Sequence, residues 1–274
     1  MAHHLRTGLG LDLVEVDNEA NLAALAHLWP HKLAGDDFLY VSGDVGIGGG
    51  LVTGGTLYPG VSGFAGELGH LTIEREGRRC RCGSQGCVEQ YAGLDAILGG
   101  AGLDDILALS NALAEADIDA RGAVARAGAA LGVALASVIN LCDLATVVLG
   151  GCYAEIFETL APALGAELER RTLAADSRPT TVLAAPVRSD AAVRGGAALV
   201  ARRACNEPER LIRLKSTGSL AAAQYSISRG VLTGGLAAHF VQVGAGLAGF
   251  VTDAKVLGVL GYIVSNLGFD EWLR

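Results

Sequence analysis

The residues with the plainest chemical meaning are His70, Cys80, Cys82 and Cys87, spaced His-x9-Cys-x-Cys-x4-Cys. Three thiols and one imidazole are donors that a zinc ion prefers, and four of them complete a tetrahedral shell. A complete shell leaves no position for water or substrate, so the spacing predicts a structural zinc and not a catalytic one. Gly83 and Gly86 fall between the last ligands, where the chain must turn tightly. The other cysteines, Cys142, Cys152 and Cys205, stand singly in apolar surroundings. This pattern belongs to a metal site and not to a disulfide framework, and it predicts an intracellular, cytoplasmic chain.

A second candidate is the glycine run Gly43-Asp44-Val45-Gly46-Ile47-Gly48-Gly49-Gly50. Backbone amides in such a turn can cradle a phosphate, because no side chain blocks the approach. A hairpin that simply needs glycines would read the same way. Asp44 is the informative residue, since a carboxylate in the turn repels a phosphate. A third set, Asn18, Glu19, Glu67 and Glu89, could bind a polyol, whose neighbouring hydroxyls match forked carboxylates and amides. Glu67 lies three residues before His70 and Glu89 two after Cys87. A metal knot would therefore fix both carboxylates, whereas each acid alone would read as a solvated surface residue.

These side chains need elements to hold them. Residues 18–29 show apolar positions at helical spacing behind a capping Asp17 or Asn18. FLYVSG (residues 38–43) and LVTGGTLYPG (51–60) read as strands joined through the glycine turn. Residues 68–74 suggest a short strand, and 75–90 a polar cysteine-bearing loop. Helices are predicted over 103–116 and 120–141. A buried strand follows over 145–149, turned by Gly150-Gly151 into a helix over 154–168. A strand over 180–184 and a helix over 190–204 complete an α/β order. Residues 206–274 carry no chemical motif.

Composition narrows the function classes. The 274 residues are 51% apolar and 18% charged, which supports a sizeable core. The net charge of −8 and 5% aromatics argue against a surface that binds nucleic acid by bulk charge or base stacking. The N-terminus lacks a basic stretch followed by a long apolar core, so no signal peptide is expected. The uncharged run 230–252 is long enough to span a membrane. It holds six glycines, His239 and Gln242, so a membrane span is not expected there.

GFAGELGH (residues 63–70), CRCGSQGCVE (80–89), the glycine hairpin and DNEANLAAL (17–25) together resemble the ROK family of sugar-responsive repressors and sugar kinases. VVLGG (147–151) and AAVRGGAAL (191–199) are similar to that family's C-terminal segments, and the likeness runs from about Val14 to Ala204. The resemblance implies an actin/hexokinase-like (ribonuclease-H-like) ATPase fold. It implies a partial N-terminal lobe over 1–90, truncated at the front, a C-terminal α/β lobe over 91–204, and an unmatched tail over 205–274. It places sugar contacts on Asn18, Glu19, Glu67, His70 and Glu89, with Glu19 in the position of the catalytic base. Nucleotide contacts would fall on Gly46, Gly48, Gly49, Gly150 and Gly151.

Three departures from the kinase pattern matter. Glu19 stands where kinases carry Asp, and a base displaced by about 1 Å can cost ~100-fold in rate. Asp44-Val45 replaces Gly-Thr in the hairpin, which puts the wrong sign of charge beside a transferring phosphoryl group. Only 13 residues precede Val14, too few for the family's first phosphate loop or for a helix-turn-helix. The chain is therefore expected to be the sugar-sensing module of a transcriptional regulator of carbohydrate metabolism. It should contain zinc, form homo-oligomers, bind no DNA by itself and catalyse nothing. The alternative is a glucokinase-like sugar kinase using ATP and Mg²⁺.

Overall fold

The computed structural model describes residues 2–9, 14–28, 34–44, 46–186, 190–206, 225–228, 241–243 and 259–263. In chain order the first elements are α1 (Ala2–Leu9), β1 (Val14–Asp17), α2 (Glu19–Leu28), β2 (Phe38–Gly43), β3 (Ile47–Thr53) and β4 (Thr56–Leu57). A 3₁₀ turn at Leu68–His70 leads to α3 (Glu89–Ala92), α4 (Leu94–Ala101), α5 (Ile106–Ala114) and α6 (Ile118–Cys142). Then come β5 (Thr146–Gly151), α7 (Cys152–Glu155), α8 (Phe157–Arg171), β6 (Thr181–Ala184), α9 (Ala191–Asn206), β7 (Tyr225–Ser228), β8 (Val241–Val243) and β9 (Val259–Ile263).

The chain divides into two units, residues 32–189 and residues 1–31 with 190–274. The first is built on a five-stranded sheet of order β4-β3-β2-β5-β6. The apolar run of β2 is almost wholly buried, as befits a central strand covered on both faces. It pairs antiparallel with β3, from Phe38 opposite Val52 to Gly43 opposite Ile47, and parallel with β5, Gly43 lying opposite Gly151. The carboxyl ends of β2 and β5 are thus adjacent, and the glycine hairpin meets the Gly150-Gly151 turn there. In open α/β sheets that edge is where ligands commonly bind.

The core of this unit joins β2 and β5 to α4, α6 and α8 through Val41, Leu98, Leu131, Leu135, Leu149 and Leu164, among others. Among the described residues α6 is long and apolar enough to cross a membrane. It instead presses close to α8: a Cβ on Gly132 would stand 2.8 Å from the Leu164 carbonyl oxygen. Asp117 caps its start, accepting from the Ala120 amide at 2.8 Å, and Asp143 ends it in the left-handed region.

In the second unit β1, β7, β9 and β8 form a sheet in that order, with β1–β7 and β7–β9 parallel. Helix α2 packs on α9 so closely that a Cβ on Gly195 would lie 1.6 Å from the Leu22 carbonyl oxygen.

Several expectations need correction. The strand expected over 68–74 is a 3₁₀ turn followed by a single bridge from Thr72 to Cys87. Gly69 lies against the Ile47 carbonyl oxygen of the hairpin, so this segment packs end-on and does not extend as a further strand. The helix expected over 154–168 is two helices broken at Ile156. The helix expected to begin at 103 begins at Ile106, where Asp105 caps it by accepting from the Ala108 amide. The run 230–252 lies outside the described residues except for β8.

Candidate functional site

Residues 70–90 fold into a compact knot tied by the bridges Thr72–Cys87 and Arg79–Gln85. Backbone amides of Cys80, Gly83 and Gly86 donate to the carbonyls of Ser84, Cys80 and Arg78. Gly86 adopts φ +73°, and a Cβ there would lie 1.6 Å from the Glu74 carbonyl oxygen, so only glycine closes the loop.

The closure brings one donor atom each from His70, Cys80, Cys82 and Cys87 to within 4.8 Å of one another. Cys80 Sγ lies 3.7 Å from His70 Nδ1, and Cys82 Sγ lies 3.7 Å from Cys87 Sγ. Tetrahedral zinc bonds of about 2.3 Å to sulfur and ~2.0 Å to nitrogen place neighbouring donors roughly 3.6–3.8 Å apart. The four residues therefore fit a metal ion of the zinc type, with Nδ1 as the imidazole donor. Burial and the neighbouring thiols push Cys87 up to about 12, while the Ser84 amide and Cys80 lower Cys82. A cation is what this set of donors lacks if all three sulfurs are to ionise together.

Helix α3 shores up the knot. Gln90 Nε2 donates to Cys80 Sγ at 3.7 Å. Tyr91 Oη accepts from the Arg78 amide at 2.9 Å, and the Arg78 guanidinium stands 5.0 Å from the Tyr91 ring centroid. Sequence reasoning missed both residues, because their contacts depend on where α3 lands after the loop has closed.

Glu89, half-buried at the head of α3, accepts from the Ile47 amide of the hairpin at 3.3 Å through Oε2. The same oxygen lies 2.7 Å from where a Cβ of Gly46 would be and 3.2 Å from that of Gly69. Glu67 and His70 are exposed on either side of Leu68 and Gly69. The structure therefore brings Glu67, His70 and Glu89 to the hairpin's edge beside the knot. Asn18 and Glu19 belong to the other unit, where Asn18 Oδ1 caps α2 by accepting from the Ala20 amide at 2.9 Å. Asp17 Oδ1 fixes that turn, accepting from the Asn18 amide and from Asn21 Nδ2 at 2.7 Å each.

At the strand ends Asp44 stands over Gly151: its carboxylate oxygens lie 2.9 Å from where a Gly151 Cβ would be. Solvent reaches the carboxylate. Even so, the protein packed around it raises its pKa, opposed by hydrogen bonds from the Ser42 hydroxyl and the Cys152 amide, with Glu155 adding to the rise. An acid thus stands beside the amide that opens the turn after Gly150-Gly151. Gly150 faces Tyr40 Oη, which a Cβ would approach to 2.0 Å. Gly46 and Gly49 are crowded by Glu89 and Leu68 in the same way. Protein atoms thus stand where a Cβ would be at Gly46, Gly49, Gly150 and Gly151.

The family model described as "ROK family" matches residues 2–203. The chain is 33% identical to a xylose repressor of Bacillus subtilis, over 58% of this chain and 42% of the repressor. It is 31% identical to a glucokinase of Halalkalibacterium halodurans, over 68% of this chain and 63% of the kinase. The crystal structure of a ROK family transcriptional regulator, a homologue of the E. coli MLC protein, aligns at TM-score 0.65 with 28% identity, over 73% of this chain and 54% of that one. The chain thus spans about half the length of these proteins. Its fold is the actin/hexokinase-like fold of those neighbours. On the match across residues 2–203, the chain belongs to the ROK family.

Proposed function

We propose that the chain is the sugar-sensing module of a transcriptional regulator of carbohydrate metabolism and that it does not phosphorylate its ligand. The observation that carries this reading is Asp44. Phosphoryl transfer needs donors and cations around the phosphates, whereas here a carboxylate stands over the Gly150-Gly151 turn. Glu19, in the base position, adds to the same reading, since a base must sit within hydrogen-bond reach of the proton it removes.

The sugar is held at the edge of the metal knot by Glu67, His70 and Glu89. His70 turns Nδ1 toward the sulfurs, which leaves Nε2 for a hydroxyl. Glu89 spends one oxygen on the Ile47 amide and keeps the other for the ligand. The metal is zinc in a structural role: it fixes the loop carrying His70 and Glu89 and touches no reacting atom. The protein works in the cytoplasm as a homo-oligomer.

Kinase relatives keep a second reading in play, because the glucokinase match covers 68% of this chain. A coupled assay with ATP, Mg²⁺ and a panel of pentoses, hexoses and N-acetylhexosamines separates the two. The regulator reading expects no sugar-dependent ADP release above background. Robust turnover that rises with sugar would establish the kinase.

A further inference from the structure

We propose that Cys82 is an oxidation site: a peroxide converts it to a disulfide with Cys87 and thereby dismantles the metal knot. This rests on the reading of the four residues as zinc ligands. Of the three clustered thiols only Cys82 faces solvent, while Cys80 and Cys87 are 7% and 0% exposed. Gly83, next in the chain, has open space where its Cβ would be apart from its own neighbours, in keeping with the exposure of Cys82. Cys80 Sγ and Cys87 Sγ both lie within 4.8 Å of Cys82 Sγ. Cys87 stands at 3.7 Å in sulfur–sulfur contact with it, while the 3.7 Å contact of Cys80 is with His70 Nδ1, so Cys87 is the partner we assign. An accessible sulfur with a second one poised against it is the arrangement that oxidises reversibly. Cys152 is buried and outside the cluster, and Cys142 also lies outside it.

The chemistry balances. The Cys82 sulfur attacks hydrogen peroxide, so an S–O bond forms, the O–O bond breaks, and hydroxide leaves as water. Cys82 is oxidised by two electrons and the peroxide is reduced. The Cys87 sulfur then attacks the sulfenic sulfur, the S–S bond forms, and the S–O bond breaks. Both sulfurs are thiolates while the ion is bound, so the two departing hydroxides take their protons from solvent and leave as two waters. Two of the four ligands are consumed, and His70 with Cys80 is too few to retain the ion. A dithiol reductant reverses the change by exchange.

The test uses the full chain, with its zinc content measured first. Hydrogen peroxide is added while a metal-sensitive dye follows released zinc and peptide mass spectrometry maps the disulfides. The expected result is about one zinc released per Cys82–Cys87 disulfide, with thiols and zinc binding restored by dithiothreitol. Cys142→Ser should behave as the parent does. Zinc retained with Cys82 intact, a disulfide from Cys82 to Cys80, or Cys82 carried to the sulfonic acid without a disulfide would each overturn the proposal. A chain that holds no zinc before treatment defeats the zinc reading. Disulfide mapping of that same chain still decides the thiol pairing.

Discussion

At the scale of single residues, the knot depends on one backbone position as much as on its ligands. Gly86 has positive φ and no room for a methyl group beside the Glu74 carbonyl. Gly86→Ala should destabilise the loop by at least ~2 kcal/mol. Metal analysis should then find well under one zinc per chain, with all three clustered thiols open to titration. Full zinc content and an unchanged melting temperature would show that the loop tolerates a side chain. The four candidate ligands were legible in the sequence because metal-site chemistry is written in residue type and local spacing. Gln90, Tyr91 and the Glu89–Ile47 contact were not, since each depends on where α3 lands after the loop has closed. The sign of Asp44's effect was legible; its seat over Gly151 was not, because that follows from pairing β2 with β5 across more than a hundred residues.

At the scale of elements, α2 and α6 make separate predictions. His27 sits in the last turn of α2, where a helix terminus favours the imidazolium, yet it is 2% exposed and burial lowers its pKa to about 4. The unfolded chain takes up the proton near pH 6.5 and the folded chain resists it. The stability from His27 is therefore complete above that pH and is lost as pH falls from 6.5 toward 4, by about 3 kcal/mol. Melting temperatures across this window should fall for the parent and fall less for His27→Leu; parallel curves would show that the ring is not held neutral. Helix α6 is close-packed through Gly132, so Gly132→Val should cost about 1–3 kcal/mol and lower the melting temperature by on the order of 5 °C. A shift under 1 °C would mean that α6 and α8 separate readily. The period of α6 was plain from its apolar spacing. The break at Ile156, buried in the core, and the 3₁₀ turn at Leu68–His70, packed on the hairpin through Gly69, were not, because tertiary packing decides them.

For the whole molecule, the ROK fold carries both repressors and kinases, so the fold alone does not choose between them. The proposed function puts the choice at two places: the His/Cys knot beside Glu67, His70 and Glu89, proposed as a working sugar site, and the strand ends where Asp44 meets the glycine turns, proposed as a disabled phosphate site. Calorimetric titration of the zinc-loaded chain with a panel of pentoses, hexoses and N-acetylhexosamines, each repeated in the presence of ATP and Mg²⁺, tests this most directly. The account predicts saturable heat for at least one sugar, abolished by Glu67→Ala with zinc retained, and an affinity that ATP does not change. Silence with every sugar, or an affinity strengthened by ATP, would contradict it.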